Sequence, residues 1–150
     1  MPERELLMEI ASRVENAALV GLAADRIGRF FGMSERTANA WQLIVVEAVN
    51  NVIEHSFSYE TQHRVRVRLR LADEHMVCEI RDRGKPIPKQ VLCKLKSDVS
   101  GLPAAEDLAE SGYGLQLIAT LADRFDYQSQ AGTNTLRIEI RIAARDESTR

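Results

Sequence analysis

The sequence contains few of the features that mark specialised classes of protein. Aromatic residues make up 5% of its 150 residues, and no apolar run approaches the roughly 20 residues that a membrane-spanning helix needs. Its two cysteines, Cys78 and Cys93, lie apart without a Cys-x-x-Cys spacing, which is typical of a reduced protein. The first residues, "MPERELLMEIASR", are charged and lack the apolar core of a signal peptide. We therefore expect a cytoplasmic protein that does not bind a membrane.

Neither positive nor negative charge is in large excess. The formal net charge is -2, so no overall field attracts nucleic acid or an anionic membrane. Four arginines alternate with aliphatic residues over residues 64–70, but a nucleic-acid-binding sheet face would also carry interleaved aromatic side chains. We interpret these arginines as a solvent-facing side of a sheet, with Glu79 and Glu139 as cross-strand partners. Direct binding of nucleic acid is therefore not expected.

The composition that remains is that of an ordinary globular protein. Hydrophobic residues make up 45% of the chain and charged residues 28%, and 150 residues are enough to bury one core. No internal repeat is present. We expect a single domain over residues 1–143, followed by a polar tail at residues 144–150.

Hydrophobic periodicity predicts the order of the elements. "LLMEI" predicts a short strand, and residues 13–33 and 34–55 then show helical spacing, with Ser34 as N-cap of the second helix. "RVRVRLRLA" and "HMVCEIRD" alternate with period two and are close together, which predicts an antiparallel hairpin. A less regular segment at residues 88–111 precedes a helix, "YGLQLIATLADRF", and two closing strands, "FDYQSQ" and "TNTLRIEIRIA". This order predicts an α+β fold, a two-layer sandwich with helices on one face of a mostly antiparallel sheet.

The segment "VVEAVNNVIEHSF" places Glu47, Asn51 and His55 four residues apart, on one face of the second helix. This polar stripe is narrow and has apolar neighbours, so it is either a solvated rim or the wall of a site. In a site, a carboxylate can act as a general base, and an amide oxygen suits Mg²⁺ beside substrate phosphates. Asn50 points about 100° away on a helix and is left out.

Two further segments have the chemistry of a binding site. In "RDRGKP", Asp82 ends a strand on the same side as Cys78 and Ile80, and Gly84 follows it. The carboxylate could accept a hydrogen bond from an exocyclic amine while glycine lets a flat ring approach, although a plain turn is the alternative. In "SGYGLQLI", two glycines open a helix, whose free N–H groups attract phosphate; an ordinary glycine-rich loop is the alternative. "GTNTLRI" alone is uninformative.

Taken in order, "EAVNNVIEH", "RDRGKP", "SGYGLQLIATLAD" and "GTNTLRI" resemble the motifs of the Bergerat-fold ATP-binding domain of the GHKL superfamily. Within that superfamily, the chain most resembles the RsbW-like anti-sigma-factor serine-protein kinases. The spacing of Glu, Asn and His, the early "SRVENA", and the lack of a preceding phosphoacceptor helix pair carry this resemblance.

The resemblance implies a role for each motif residue. Asn51 would ligate Mg²⁺, Glu47 would take the proton from the acceptor hydroxyl, Asp82 would accept the adenine amino group and Gly84 would admit the base. His55 would shape the lid side of the pocket or be structural. The phosphates would meet the start of the third helix, at Gly112, Tyr113, Gly114 and Leu115.

The remaining motif positions concern the surroundings of the nucleotide. Thr133 would support Asp82 through a water, and residues 88–111 would form the lid over ATP. Pro86 is a departure, because the first glycine box usually has a second glycine there, and proline fixes φ and removes an N–H. We expect it to alter the shape of the loop without abolishing binding.

The resemblance also implies the function. The chain would be an ATP- and Mg²⁺-dependent serine/threonine-protein kinase and anti-sigma factor, acting on a STAS-domain antagonist in a partner-switching pathway. It would bind a sigma factor or another regulator, and it would form a homodimer. Two alternatives remain: a protein-binding regulator that nucleotide modulates and that has no kinase activity, and a detached ATPase domain of the histidine-kinase type.

Overall fold

The computed structural model describes residues 4–97 and 113–143, and its centre is a five-stranded sheet in which every pairing is antiparallel. The strands are β1 (Arg4–Ala11), β2 (Arg64–Ala72), β3 (His75–Asp82), β4 (Arg124–Gln130) and β5 (Thr133–Arg141), in the spatial order β1-β2-β3-β5-β4. The helices are α1 (Val14–Phe30), α2 (Glu35–Asn51), α3 (Lys89–Ser97) and α4 (Tyr113–Leu121). A π-helix, π1 (Val52–Ser56), continues α2 without a break. The predicted α+β class is confirmed.

The core lies between one face of the sheet and the helices. On β2, Val65, Val67 and Leu69 are buried, whereas the arginines that alternate with them point to the other face. This period of two is what a sheet with one covered face requires. The inward residues of β2, β3 and β5 form one cluster with the buried faces of α1 and α2, which include Trp41. The hydroxyl of Ser34 accepts a hydrogen bond from the backbone N–H of Thr37, so the predicted N-cap of α2 is confirmed.

The outer face of the sheet is charged, as the alternation predicts. Arg66 and Arg68 of β2 pair with Glu9 and Glu5 of β1, at 3.1 Å and 2.6 Å. Glu79 of β3 lies 3.9 Å from Arg68 as well, so it is one of the predicted partners. The other expected partner, Glu139, bonds its own strand neighbour Arg137 instead. Arg66 and Arg68 therefore form intramolecular ion pairs on the outer face of the sheet.

One predicted boundary is wrong, and two predicted segments lie partly or wholly outside the described residues. The third predicted helix extended to Phe125, but α4 ends at Leu121 and β4 begins at Arg124. The chain leaves the helix because the N–H of Asp123 donates to the carbonyl of Glu139 on β5, at 2.9 Å. The irregular segment predicted at residues 88–111 begins with α3, and its residues 98–111 lie outside the described part of the chain, as does the predicted tail at residues 144–150. In the described ranges, no helix is both long and apolar enough to cross a membrane.

Candidate functional site

The helix geometry changes at the end of α2, within the predicted polar stripe. Asn51 is the last α-helical residue and is buried, and the chain then forms one π-turn, in which the N–H of Phe57 donates to the carbonyl of Val52 at 3.2 Å. A π-turn inside an α-helix is rare and often marks a functional site. Because a π-turn spaces residues differently from an α-turn, His55 is not in strict line with Glu47 and Asn51. Its half-exposed ring lies 3.8 Å from the Glu54 carboxylate.

The π-helix brings the end of α2 against the loop after β3. The N–H of Lys85 donates to the carbonyl of Ser56 at 3.0 Å. A Cβ atom added at Gly84 would lie 2.4 Å from that same carbonyl oxygen, so any side chain there would clash with backbone. Glycine is therefore required at position 84 by contact with π1, in addition to the predicted need to admit a flat ring.

Asp82 ends β3 with its side chain turned inward and buried, on the side predicted from the strand alternation. Its Oδ1 accepts hydrogen bonds from the N–H of Gly84 and from the side-chain amide of Asn134, both at 2.9 Å, and the Ser56 hydroxyl also bonds the carboxylate. Burial raises the pKa of Asp82, and the bonds from Asn134, Gly84 and Ser56 oppose that rise. The group is a buried acceptor held in one orientation.

On β5, Asn134 is a direct partner of Asp82, while the water-mediated support from Thr133 stays a prediction. Asp82 and Asn134 face each other in the register of β3 and β5. Asn134 shares the inward side of β5 with Leu136 and Ile138, whereas Thr133 belongs to the outward set. The Gly-Thr motif of this segment does not include Asn134, so sequence reasoning misses it. The parity of Asn134 with the apolar residues of the strand is the signal that would have identified it.

Pro86 lies in the loop between two anchored residues. Lys85 before it bonds Ser56, as described, and the N–H of Ile87 after it donates to the Tyr127 hydroxyl at 2.9 Å. Burial raises the pKa of Tyr127, the bond from Ile87 opposes this, and the nearby charge of Asp82 raises it further. The N–H groups of Lys85 and Ile87 anchor the loop, so neither bond needs the N–H that proline lacks.

Glu47 lies beside the start of α4. A Cβ atom added at Gly114 would lie 2.9 Å from the Oε2 atom of Glu47, so the carboxylate sits directly against the first turn of that helix. Leu115 is buried in the core and fixes α4 in this position. Tyr113 is the first residue of α4, and the predicted Gly112 lies just outside the described residues. The N–H groups at the start of an α-helix can donate to an anion.

The residues of α2 also suit Mg²⁺. Asn51 is buried, with 7% of its surface exposed, and its side-chain amide has no hydrogen-bond partner among the described residues. The described ranges contain no group of three or more His, Cys, Asp or Glu residues that would hold a metal alone. One amide oxygen is a fitting donor for Mg²⁺, which takes most of its other ligands from water and substrate phosphates.

The site therefore follows one helix along its length. Glu47 in α2 touches the start of α4, where an anion would be bound, and Ser56 in π1 touches the loop that carries Asp82 and Gly84. Such an arrangement can hold a molecule that has a phosphate group at one end and an amine-bearing ring at the other.

Comparison with known proteins agrees with this geometry. The family model described as "Histidine kinase-like ATPase domain" matches residues 10–140, a range that includes every residue of the candidate site. The serine-protein kinase RsbW of Halalkalibacterium halodurans is 24% identical over 125 residues, which make up 83% of this chain and 76% of that protein.

Two solved structures share the fold. The SiaB-SiaC complex from Pseudomonas aeruginosa has a TM-score of 0.66 at 16% identity, covering 90% of this chain and 88% of that one. The structure of the RsbU and RsbW domains from Mycobacterium tuberculosis has a TM-score of 0.65 at 16% identity. It covers 92% of this chain, which spans only 32% of that longer protein.

Proposed function

Because this chain belongs to the family of histidine kinase-like ATPase domains, we propose that it is an ATP-dependent serine/threonine-protein kinase. The observation that carries the proposal is the carboxylate of Glu47 against Gly114, since it places a base beside the expected position of the phosphates. A site that only bound nucleotide would have no need of a carboxylate at this place. The relative named serine-protein kinase RsbW supports the same activity.

We assign the nucleotide to the site by the chemistry of its residues. The Asp82 carboxylate accepts the adenine amino group, and Gly84 leaves room for the ring. The N–H groups of Gly114 and Leu115, together with those of Gly112 and Tyr113 before them, donate to the phosphates. We propose that the lid over ATP begins at α3, that His55 lies on its side of the pocket, and that Pro86 shapes the loop under the base; the rest of the predicted lid, residues 98–111, lies outside the described residues. Thr133 acts at most through water, because its strand position faces outward.

Asn51 would ligate Mg²⁺, which would neutralise phosphate charge. Glu47 accepts the proton of the acceptor hydroxyl. The hydroxyl oxygen then forms a bond to the γ-phosphorus, while the bond from that phosphorus to the β,γ-bridging oxygen breaks and ADP leaves. Glu47 afterwards releases its proton to water. The products are a phosphorylated serine or threonine and ADP, so atoms and charge balance.

For partners, we propose a STAS-domain antagonist as the phosphate acceptor and a sigma factor or a similar regulator as the protein that is held. This places the chain in a partner-switching pathway in the cytoplasm. We further propose a homodimer formed through β1, which is an edge strand: among the described residues, it pairs with β2 alone. An edge strand exposes unpaired backbone groups that a second copy can bond.

The kinase proposal is tested with Glu47→Gln and Asn51→Ala. Glu47→Gln keeps the shape of the side chain but removes the base, so we expect Mg-ATP binding by calorimetry to be unchanged and the transfer of labelled phosphate to a STAS-domain protein of the same organism to fall about 100-fold or more. Asn51→Ala removes the metal ligand and should abolish binding of Mg-ATP. Glu54→Gln is the matched control, because Glu54 is an exposed carboxylate seven residues further along the same helix.

The outcomes separate the candidates. Normal transfer by the Glu47→Gln variant would show that Glu47 is not the base. Binding of Mg-ATP by the wild type without transfer to any STAS-domain protein would favour a regulator that nucleotide modulates. If the wild type released no heat with Mg-ATP or Mg-ADP at millimolar concentration, the nucleotide site itself would be wrong.

A further inference from the structure

Asn134 connects three groups at the base of the candidate pocket. Its side-chain amide donates to the Oδ1 atom of Asp82 at 2.9 Å and to the carbonyl of Gly84 at 3.0 Å. Its side-chain carbonyl accepts the hydroxyl hydrogen of Ser129 at 2.8 Å. Because 1% of Asn134 is exposed, water does not compete for these bonds. One amide thus links the end of β3, the loop after it and the neighbouring strand β4.

The bonds leave Asn134 in a single orientation. An asparagine amide can be flipped by 180°, which exchanges its oxygen and nitrogen. Here the acceptors Asp82 and Gly84 are on one side and the donor Ser129 is on the other, so only one orientation satisfies all three. The Oδ1 atom of Asp82 is consequently held by the N–H of Gly84 and the amide of Asn134, which fixes how the carboxylate faces a ligand.

We propose that Asn134 is the positioning residue that makes the pocket select a purine with an exocyclic amine. The inference rests on the proposed binding of ATP and adds to it the residue that fixes base preference. Adenine presents an amine to the carboxylate of Asp82, whereas hypoxanthine presents a carbonyl oxygen in the same place and would be repelled. A site built to bond one polar group rejects the analogue that lacks it, because its own buried group is then left unpaired.

The proposal is tested by measuring the affinities of ATP and ITP, which differ at this one position of the ring. We expect the wild type to prefer ATP by more than about tenfold. In Asn134→Leu, the affinity for ATP should fall about tenfold, that for ITP should change little, and the preference should largely disappear. The same variant without nucleotide should show faster hydrogen exchange at the Gly84 N–H, which shares the Oδ1 atom of Asp82.

A second variant reports on the bond itself. Asn134→Asp puts a carboxylate against the carboxylate of Asp82, and two such groups in contact share one proton. The ATP affinity of this variant should recover as the pH falls, whereas that of the wild type should decline as Asp82 is protonated. The Tyr127 hydroxyl, whose pKa the nearby Asp82 raises, stays protonated over that range. A purely structural role for Asn134 would not produce opposite pH trends.

Two positions outside the core keep the test independent of folding. Ser129→Ala removes one anchor of the amide from an exposed strand residue, and it should lower the preference for ATP in the same direction but less. Thr135→Ala, on the outward side of β5, is the matched control and should leave both affinities unchanged. If the wild type bound neither nucleotide, the proposed function would fail. If it preferred ATP and the variants at positions 134 and 129 kept that preference, only the role of Asn134 would be overturned.

Discussion

At the scale of single residues, Asp82 shows how a binding group can cost stability. Its burial raises its pKa, so the folded protein holds the proton more readily than the unfolded chain does. The contribution of this group to stability is therefore full below the ordinary carboxyl pKa and is lost as the pH rises through the folded pKa. In its ionised form, Asp82 is a buried negative charge that hydrogen bonds from Asn134, Gly84 and Ser56 compensate.

We predict that Asp82→Asn stabilises the protein while it abolishes nucleotide binding. The asparagine oxygen can still accept from Gly84 and Asn134, and no charge is buried. The melting temperature at neutral pH should rise by about 3 °C, which corresponds to about 1 kcal/mol in a chain of this size. Thermal denaturation from acid to neutral pH should also show a flatter profile than that of the wild type.

Asp126→Asn, which changes an exposed carboxylate on β4, is the control for this prediction and should leave the melting temperature unchanged. A lower melting temperature for Asp82→Asn would mean that the charge of Asp82 is net stabilising. Retained binding of ATP by that variant would contradict the role of Asp82 as the acceptor for the base.

Prediction from sequence worked for residues that obey a local pattern. Asp82 follows the alternation of β3, and its inward position could be predicted from Cys78 and Ile80. Asn134 obeys the same rule on β5, but the Gly-Thr motif points to Thr133 instead. Gly84 was predicted as a binding residue, yet its contact with Ser56 depends on how π1 packs, which no local pattern contains.

At the scale of elements, the π-helix is what the sequence did not predict. Apolar spacing identified one helix from Ser34 to His55, and an α-helix and a helix with one π-turn have nearly the same apolar pattern over that length. The turn is stabilised by a distant contact, the bond from Lys85 to the carbonyl of Ser56. The β2–β3 hairpin was predictable, by contrast, because alternation and a short connection are local.

We predict that deleting Glu54 converts π1 into an α-turn. A π-turn contains one residue more than the α-turn it replaces, so the deletion should restore the ordinary hydrogen-bond spacing. The fold should persist, because Glu54 is exposed, but the carbonyl of Ser56 should move away from the N–H of Lys85. The affinity for Mg-ATP, measured by calorimetry, should fall about tenfold, as expected for one lost hydrogen bond.

The control for the deletion is Glu54→Ala, which removes the same side chain but keeps the length of the helix. Its affinity for Mg-ATP should equal that of the wild type. Equal affinities for the deletion variant and the wild type would show that π1 is not needed to shape the site. If both variants lost affinity for Mg-ATP, the cause would be the loss of the Glu54 side chain and not the change in helix length.

At the scale of the whole molecule, the class of fold was predictable and the order of strands was not. The sequence predicted the β2–β3 hairpin, two closing strands that correspond to β4 and β5, and the helical layer. Nothing local indicates that β5 inserts beside β3 and leaves β4 at the edge. This strand order determines the geometry of the site, because it places Asn134 opposite Asp82. The other edge, β1, exposes Leu7, with 67% of its surface accessible.

We predict that Leu7→Lys weakens association between copies of this chain. A lysine on an edge strand disfavours strand-to-strand pairing, so the dissociation constant of the proposed homodimer should rise at least about tenfold. Sedimentation velocity over a range of concentrations measures this directly. Leu43→Lys makes the same change at an exposed position on α2 and should leave association unchanged. A wild type that sediments as a monomer at high micromolar concentration would refute the homodimer.

The pairing of β3 with β5 also has a consequence for how the chain folds. Each hairpin can form from neighbouring residues, but the bond from Asn134 to Asp82 joins residues 52 positions apart, and such long-range closure is slow. The base end of the pocket is therefore completed when the two hairpins meet. A nucleotide that binds there stabilises this late contact, so it should slow unfolding more than it speeds folding.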